Sequence, residues 1–579
     1  MKTAARNGLI VLALLYHGHP GWVASGDDDF VGIRRVGQMP NLPEPFAIRD
    51  WRQVAIDFDR LAFDSQAKGQ HLPLIRLVRD ARGEVVRFGL PSYVGDTRFD
   101  RKDAVYEGVT TMGAIVGASL VGLDKSAGQC DFVRMCEVYF DQRPTHRIVG
   151  NQASANPDQS YWYSLFPNVL FLGLADLYPK QQRIAAMARE SALQWAKAVE
   201  ALTDASGKTD FDATGFDFAT MKAAANNRWK EPDAAGAIAW IEYAAYRKWG
   251  EKRCLTAADR CLRFLSDRPA DKNPYYECLL PFGALAAARM NAELGRDYDL
   301  SKIINWCFDR SAARIDWTML ATRWEEKDVH GLIGGIGVPP WRTWEGGYAF
   351  AMNTYCQALA IMPIARYDPR YARDIGKWML NAANAARLFY GDAHPPSRQT
   401  SPDWKGDPGH VIAYEGLKYR WDSPDQPLTA AGDPIRHKWG PTDLSIYSSA
   451  LVGVFGAIIA RIDDPAVLRL DLLATDLFRD RAYPTYLYYN PHSTARTVKV
   501  DVGPTTHDLY DAVRGEWVGR SVIHQARIDI RADAARVIVL VPSEKRQTQT
   551  VSQTLVDGVV IDYRRGGPAA HKSSKEKAN

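Results

Sequence analysis

Apolar residues recur at helical spacing over most of the chain, and from about residue 104 the helical segments come in pairs. The first member of each pair is rich in Gly and Ala and almost uncharged in its middle, whereas the second usually has one apolar and one polar face. This contrast predicts six inner helices surrounded by six outer ones. The predicted pairs are 104–121 with 129–140, 161–177 with 181–202, 234–249 with 256–265, 274–294 with 301–314, 345–366 with 369–389, and 443–461 with 466–477.

The connections between these segments orient the predicted ring. Connections within a pair are short, whereas most connections between pairs are long, notably 203–233, 315–344 and 390–442. Every long loop therefore falls at the N-terminal ends of the inner helices, and function concentrates on long loops carried by a rigid scaffold. The sequence predicts a mainly α protein, an (α/α)6 toroid over 104–482, with a functional site at its long-loop face.

The two flanks of the helical region have other patterns. Residues 26–103 mix a helical run at 50–63 with short extended runs, which predicts an N-terminal cap region. From Tyr483 apolar residues alternate with polar ones, which predicts a C-terminal β-sandwich over 483–565. The last segment, 566–579, is polar and basic and is expected to be disordered.

The first 25 residues have the pattern of a secretory signal peptide. Lys2 and Arg6 precede an apolar run at 9–16, and Val23-Ala24-Ser25 offers a small-residue cleavage site. No later apolar run reaches the length needed to cross a bilayer. The sequence therefore predicts an exported bacterial protein, periplasmic or extracellular, with no membrane span.

Charge, aromatic content and motifs indicate which kinds of ligand or macromolecule the protein binds. The formal charge of +4 is small for 579 residues, which argues against a nucleic-acid partner. Aromatic residues make up 11% of the chain, and many lie in predicted loops, which favours stacking on a ligand. The seven cysteines have no zinc-finger spacing, and the chain lacks a Walker loop and an HExxH motif. No cofactor or metal is predicted, although calcium held by loop carboxylates stays open.

The stretch from Pro339 to Tyr348 is the densest in candidate chemistry. Trp341, Arg342, Trp344 and Glu345 follow a Gly-rich loop where an inner helix is predicted to begin. Aromatic rings stack on the C–H faces of sugars, and a carboxyl group between them moves protons in glycosidic cleavage. Glu345 is the predicted general acid because apolar rings raise a carboxyl pKa, although the helix N-terminus opposes that shift.

Glycosidic cleavage needs a second carboxylate, and Glu277 is the favoured partner because Tyr275 and Tyr276 precede it. Asp443, Glu107 and Glu415 are alternatives. Arg342, Arg436, His410 and His437 are candidates for binding a sugar carboxylate. The predicted substrate-binding residues are Trp341, Arg342, Trp344, Tyr163, Tyr276, His410, Trp439 and Asp443.

Short motifs carry a family resemblance. Residues 72–75 (LPLI), 88–95 (FGLPSYVG) and 344–347 (WEGG) resemble bacterial proteins similar to glycoside hydrolase family 154, and the predicted architecture resembles the (α/α)6 carbohydrate-active enzymes. The resemblance implies a glycoside hydrolase with β-glucuronidase activity and an oligo- or polysaccharide substrate.

Two other readings stay open. The first is a polysaccharide lyase that uses a Tyr or His base such as Tyr163, Tyr276 or His410 beside a uronate, with Arg342 stabilising the developing charge. The second is a sugar-binding protein without catalysis.

Overall fold

The computed structural model describes residues 30–98, 103–128, 130–151, 160–225, 229–311, 314–337, 346–543, 545, 547–550 and 552–563. The predicted signal peptide and the predicted tail lie outside them. The α-helices, in chain order, are α1 (Trp51–Phe63), α2 (Gly108–Leu120), α3 (Phe132–Met135), α4 (Tyr161–Leu177), α5 (Gln182–Ala201), α6 (Ala234–Trp249), α7 (Lys252–Asp267), α8 (Leu280–Leu294), α9 (Leu300–Trp306), α10 (Ala351–Ile361), α11 (Ile364–Tyr367), α12 (Ala372–Ala385), α13 (Pro434–His437), α14 (Ile446–Ser449) and α15 (Val452–Ile458).

The Gly- and Ala-rich helices contact one another in order around an axis. Helices α2, α4, α6, α8 and α10 contact one another in that order. Helix α10 contacts α14 and α15, and both of these contact α2, which closes the ring. Side chains from α2, α4, α6, α8 and α10 line one small cavity of about 20 Å³ between them. The amphipathic helices α5, α7, α9 and α12 pack against α4, α6, α8 and α10.

Close backbone contact between α2 and α15 explains why small residues occur where these two helices meet. A Cβ atom on Gly453 would lie 2.0 Å from the carbonyl oxygen of Gly117, and one on Gly117 would lie 2.3 Å from the carbonyl oxygen of Ala450. Any side chain at either position would force the two helices apart. Glycine is therefore required where the last inner helix meets the first.

The sixth outer helix, predicted at 466–477, is absent, and this prediction was wrong. The segment forms a strand at Leu468–Asp471 followed by a loop. Leu468 and Leu470 are buried while Arg469 and Asp471 are not, so the apolar period here is two. The N-terminal helix α1 packs against α15 instead.

Within the described residues the strands form six antiparallel sheets. One of them contributes to the site, and another forms most of the C-terminal region. A five-stranded sheet has the order β11-β10-β9-β8-β5, and a six-stranded sheet has the order β12-β13-β14-β17-β15-β16. The strands are β1 (Arg76–Arg79), β2 (Val85–Gly89), β3 (Gly215–Asp217), β4 (Lys222–Ala224), β5 (Trp317–Met319), β6 (Arg323–Trp324), β7 (Lys327–Asp328), β8 (Ile333–Gly335), β9 (Gly347–Phe350), β10 (Gly416–Tyr419), β11 (Thr429–Ala431), β12 (Ile459–Arg461), β13 (Leu468–Asp471), β14 (Thr485–Asn490), β15 (Arg496–Asp511), β16 (Glu516–Ile530), β17 (Ala534–Pro542), β18 (Gln547–Gln549), β19 (Thr554–Val556) and β20 (Val559–Asp562).

The five-stranded sheet is built mainly from the two long loops that precede and follow the fifth helical pair. The helix predicted to begin at 345 begins only at Ala351, because residues 347–350 form β9 between β8 and β10. A Cβ atom on Gly334 would lie 2.0 Å from the carbonyl oxygen of Tyr348. The Gly-rich segment before the Trp pair therefore allows β8 to approach β9 closely.

The predicted C-terminal β region is confirmed, but it begins earlier than the boundary at 483. Strand β12 starts at Ile459 and joins the same six-stranded sheet as β14 to β17. The last three strands form a separate small sheet. Among the described helices, none has both the length and the apolar character needed to cross a bilayer.

Candidate active site

Six side chains from distant segments gather at the N-terminal ends of the inner helices. Burial and the neighbouring Tyr93 raise the pKa of Tyr447 well above its usual value. The negative charges of Glu277, Glu415 and Glu107 raise it further. These groups form what we call the tyrosine–carboxylate cluster, which consists of Tyr93, Tyr348, Tyr447, Glu107, Glu277 and Glu415.

The inner helices position most of the cluster. Glu107 is the residue before α2, Glu277 lies just before α8, and Tyr447 is in α14. Tyr348 lies on β9, which runs directly into α10. The backbone of Glu277 has a left-handed φ of 54°, an uncommon conformation for a non-glycine residue that turns the chain into the helix.

Glu415 lies at the centre of the cluster and is only 3% exposed. The Tyr348 hydroxyl donates a hydrogen bond to its Oε1, and the backbone N–H of Asp433 donates to its Oε2 at 3.3 Å. Burial, reinforced by the charge of Asp433, raises the pKa of Glu415 to about 8, although bonds from Tyr348 and Tyr93 oppose the shift. Burial and the charge of Asp433 therefore favour the protonated form of Glu415.

Glu107 has ionic surroundings that contrast with those of Glu415. It accepts hydrogen bonds from the Ser92 hydroxyl, from Asn151 Nδ2 at 3.3 Å and from Arg98 Nη2 at 3.4 Å. The Arg98 guanidinium also bonds Asp96 at 2.9 Å. Carboxyl groups with such different surroundings, placed within one cluster, are typical of acid and base pairs in enzymes.

Aromatic rings surround the cluster. Tyr447 lies 6.0 Å from Tyr93 and 5.8 Å from Phe350 between ring centroids. Tyr348 lies 5.7 Å from the half-buried Trp421. Rings of this kind give stacking surfaces for the C–H faces of a sugar.

Several sequence-predicted residues lie in or beside the cluster. The alternatives Glu107 and Glu415 are members of it. Glu277 is also a member of it. Tyr276 packs against Trp317 at 5.5 Å, and Trp317 lies 6.4 Å from Phe350. The Trp439 ring lies 4.7 Å below the Arg98 guanidinium, which links it to Glu107.

The other predicted residues have different surroundings. Tyr163 is 52% exposed, and its ring is perpendicular to that of Trp162. Asp443 is buried opposite Glu415 on the neighbouring chain segment, but its carboxylate accepts bonds from the Thr400 hydroxyl at 2.6 Å and the Ile435 N–H at 3.0 Å. His410 lines a different cavity. Four predicted residues lie outside the described part of the chain: Trp341, Arg342, Trp344 and Glu345.

Tyr93, Tyr447 and Arg98 are not among the residues predicted from the sequence, and Glu415 is predicted only as an alternative. Single tyrosine and arginine residues have no spacing that marks them as part of a site. The one available signal was position, because Tyr93 lies in the 88–95 motif that carries the family resemblance. Among the described residues, no group of three His, Cys, Asp or Glu side chains is arranged to hold a metal ion.

Comparison with known proteins gives weak likenesses only. No family model and no curated protein sequence matches the chain. Among solved structures, a family 76 glycoside hydrolase (mannosidase) from Bacteroides thetaiotaomicron matches with a TM-score of 0.40 and 11% identity, over 70% of this chain and 97% of that chain. A family 127 β-L-arabinofuranosidase from Geobacillus stearothermophilus matches with a TM-score of 0.30 and 10% identity, over 89% and 85%. An endoglucanase from Clostridium thermocellum matches with a TM-score of 0.33 and 10% identity, over 89% and 95%. The function proposed below therefore rests on this chain's own residues.

Proposed function

We propose that the protein is a glycoside hydrolase whose general acid is Glu415. The observation that carries the proposal is the buried Glu415 carboxyl, whose pKa is raised to about 8 by burial, in a cluster with two other carboxylates and several aromatic rings. Such an acid is protonated at neutral pH and can donate its proton to a glycosidic oxygen as the bond breaks. A second carboxylate then activates water or attacks the anomeric carbon.

Glu277 is the favoured second carboxylate. Glu107 already accepts three hydrogen bonds, including one from Arg98, and these hold it in place. Glu277 is half-buried, and its charge contributes to the raised pKa of Tyr447. Its left-handed φ of 54° is a strained backbone conformation. Strained backbone of this kind clusters at active sites. Glu345 remains a candidate from the sequence.

The lyase alternative is less well supported than hydrolysis. A lyase that uses tyrosine as its base needs that tyrosine ionised, which a neighbouring cation favours. Burial and nearby carboxylates instead raise the pKa values of Tyr93, Tyr348 and Tyr447 well above the usual value. These tyrosines are suited to donating hydrogen bonds to a carboxyl group or a substrate oxygen.

We further propose that the protein is exported and releases β-linked glucuronic acid. The support is the signal-peptide pattern at 1–25 and the motifs shared with family 154. Arg342 is the side chain expected to meet the sugar carboxylate, because Arg98 is bonded to Asp96 and Glu107.

A screen of aryl glycosides tests the proposed reaction class. We expect the wild-type protein to release the aryl group from at least one substrate, with the β-glucuronide as the first choice. The products of a hydrolase carry no new double bond, so no ultraviolet absorbance should appear when uronate polysaccharides are the substrate. Formation of an unsaturated uronate would contradict the proposal and establish the lyase instead.

The pH dependence of the reaction tests the role of Glu415. Only the protonated acid is competent, so kcat/KM should be retained below the Glu415 pKa and should fall as the pH rises through about 8. Asp433→Asn removes the charge that helps to raise this pKa but keeps the backbone N–H bonded to Glu415. The alkaline limb should then move to lower pH by up to ~1 unit.

The matched control for that shift is Asp422→Asn. Asp422 is paired with Arg436 at 2.8 Å on the same long loop, and its charge is not among the main causes of the Glu415 pKa shift. Its alkaline limb should coincide with that of the wild type. An unchanged limb in Asp433→Asn would show that another group controls the fall in activity.

A further inference from the structure

A second cavity, of about 290 Å³, lies in the long loop between α12 and β10. Its volume is at the lower end of the range for small-molecule sites. Its wall combines an indole ring, charged side chains, two prolines and a tyrosine. The residues that line it include Trp404, Lys405, His410, Tyr414 and Leu444.

A two-stranded ribbon separates this cavity from the tyrosine–carboxylate cluster. Residues 413–415 run antiparallel to residues 443–445, with Tyr414 bridged to Leu444 and the Glu415 N–H bonded to the Asp443 carbonyl at 3.1 Å. Successive side chains of an extended strand point to opposite faces. Tyr414 and Leu444 therefore face the cavity, whereas Glu415 faces the cluster.

The indole of Trp404 is held in a fixed position. Its Nε1–H donates a hydrogen bond to the Gln70 carbonyl at 2.9 Å. Its ring also lies against the backbone of Gly406, where an added Cβ atom would be 2.3 Å from Cζ2. A ring fixed before a ligand arrives loses little entropy on binding, which favours affinity.

Polar groups at the rim of the cavity are also held in place. His410 adopts a left-handed φ of 49°, and its carbonyl accepts a bond from Arg49 Nη1 at 3.3 Å. The Asp407 carboxylate accepts a bond from the Ile412 N–H at 2.6 Å and closes the turn around His410. His410 and Lys405 are both exposed and line the cavity, and Lys405 Nζ donates a hydrogen bond to the Pro402 carbonyl at 2.7 Å.

We propose that this cavity is a second saccharide-binding site, in which a sugar ring stacks on Trp404 and its polar groups bond His410 and Lys405. A flat apolar ring bordered by hydrogen-bond donors matches the two faces of a sugar, with C–H groups above and hydroxyl or carboxylate groups at the edge. The inference rests on the proposed function in one respect, which is that the ligand is a glycan. It places that ligand on the opposite side of the ribbon from Glu415.

Binding to the full-length Glu415→Gln protein tests the proposal. A glycan array that spans neutral and uronate-containing oligosaccharides supplies the probe, and the strongest array ligand is then titrated by calorimetry. We expect two binding steps, one at each site. Trp404→Ala in the same background should remove one step or weaken it by at least ~tenfold, the loss expected for one good stacking contact. Trp517→Ala, which truncates a half-buried tryptophan on the C-terminal sheet, should change neither step.

A second variant separates binding from loss of the indole. Gly406→Ala keeps Trp404 but displaces its ring, so it should weaken the same step while the far-ultraviolet spectrum stays that of the parent protein. The proposal is overturned if no array ligand binds, or if Trp404→Ala and Gly406→Ala leave both steps unchanged. If Glu415→Gln instead keeps full hydrolytic activity but Trp404→Ala loses a binding step, the proposed acid is wrong and the second site stands.

Discussion

Replacing Glu415 by Gln should reduce kcat by about 10²- to 10⁴-fold, the usual contribution of a general acid. Gln keeps the size and shape of the protonated side chain but has no acidic proton to donate. The Tyr348 hydroxyl can still donate to the remaining Oε1, whereas the 3.3 Å bond from the Asp433 N–H to Oε2 is lost. Substrate binding should therefore change little, so KM should stay close to the wild-type value. Steady-state kinetics on the best aryl glycoside measure both constants.

The folded state should tolerate this change, because the protonated acid and the amide are both neutral. The matched control is Glu242→Gln on α6. Glu242 is fully buried, and burial raises its pKa well above the usual value, but it lies beside Cys254 on α7 and not in the cluster. We expect wild-type kcat in this variant. Equal activity in Glu415→Gln and the wild type would remove Glu415 from the mechanism and return Glu345 as the first candidate.

The inner helices could be predicted because a helix that is packed on all sides is rich in small and apolar residues. A helix surrounded by neighbours keeps no charged face, and Gly117 and Gly453 show why small residues are needed where two inner helices meet. The five-stranded sheet could not be predicted in the same way. Its strands are three or four residues long and pair segments far apart in the chain, so neither length nor period marks them.

The site was predictable in position but not in its central residue. Carboxylates and aromatic residues at the starts of the inner helices led to Glu277, which belongs to the cluster. Glu415 looks ordinary in the sequence because the bonds that define it come from Tyr348 and Asp433, and burial sets its pKa. These surroundings arise only when β9 and β10 pair.

Arg289→Ala should have the largest effect on stability, about 3–5 kcal/mol, which is the usual cost of removing one partner from a buried ion pair. Arg289 on α8 is fully buried and lies 3.1 Å from Glu293 and 3.5 Å from Asp476. Its guanidinium also donates to the carbonyls of Leu477 at 2.7 Å and Phe478 at 3.0 Å. Truncation leaves buried carbonyls without a donor and buried carboxylates with less positive charge.

Arg289 holds the 475–478 segment in place beside the axis of the helical ring. Leu477 and Thr475 share the small axial cavity with side chains from five inner helices. Losing Arg289 should therefore lower the urea midpoint of the whole helical region and not only of the C-terminal sheet. Arg296→Ala, which removes an exposed pair with Asp259 just after the same helix, should cost at most ~1 kcal/mol. Equal midpoints for the two variants would show that the 475–478 segment is held by apolar packing alone, because the charges buried around Arg289 would then contribute no more than an exposed pair.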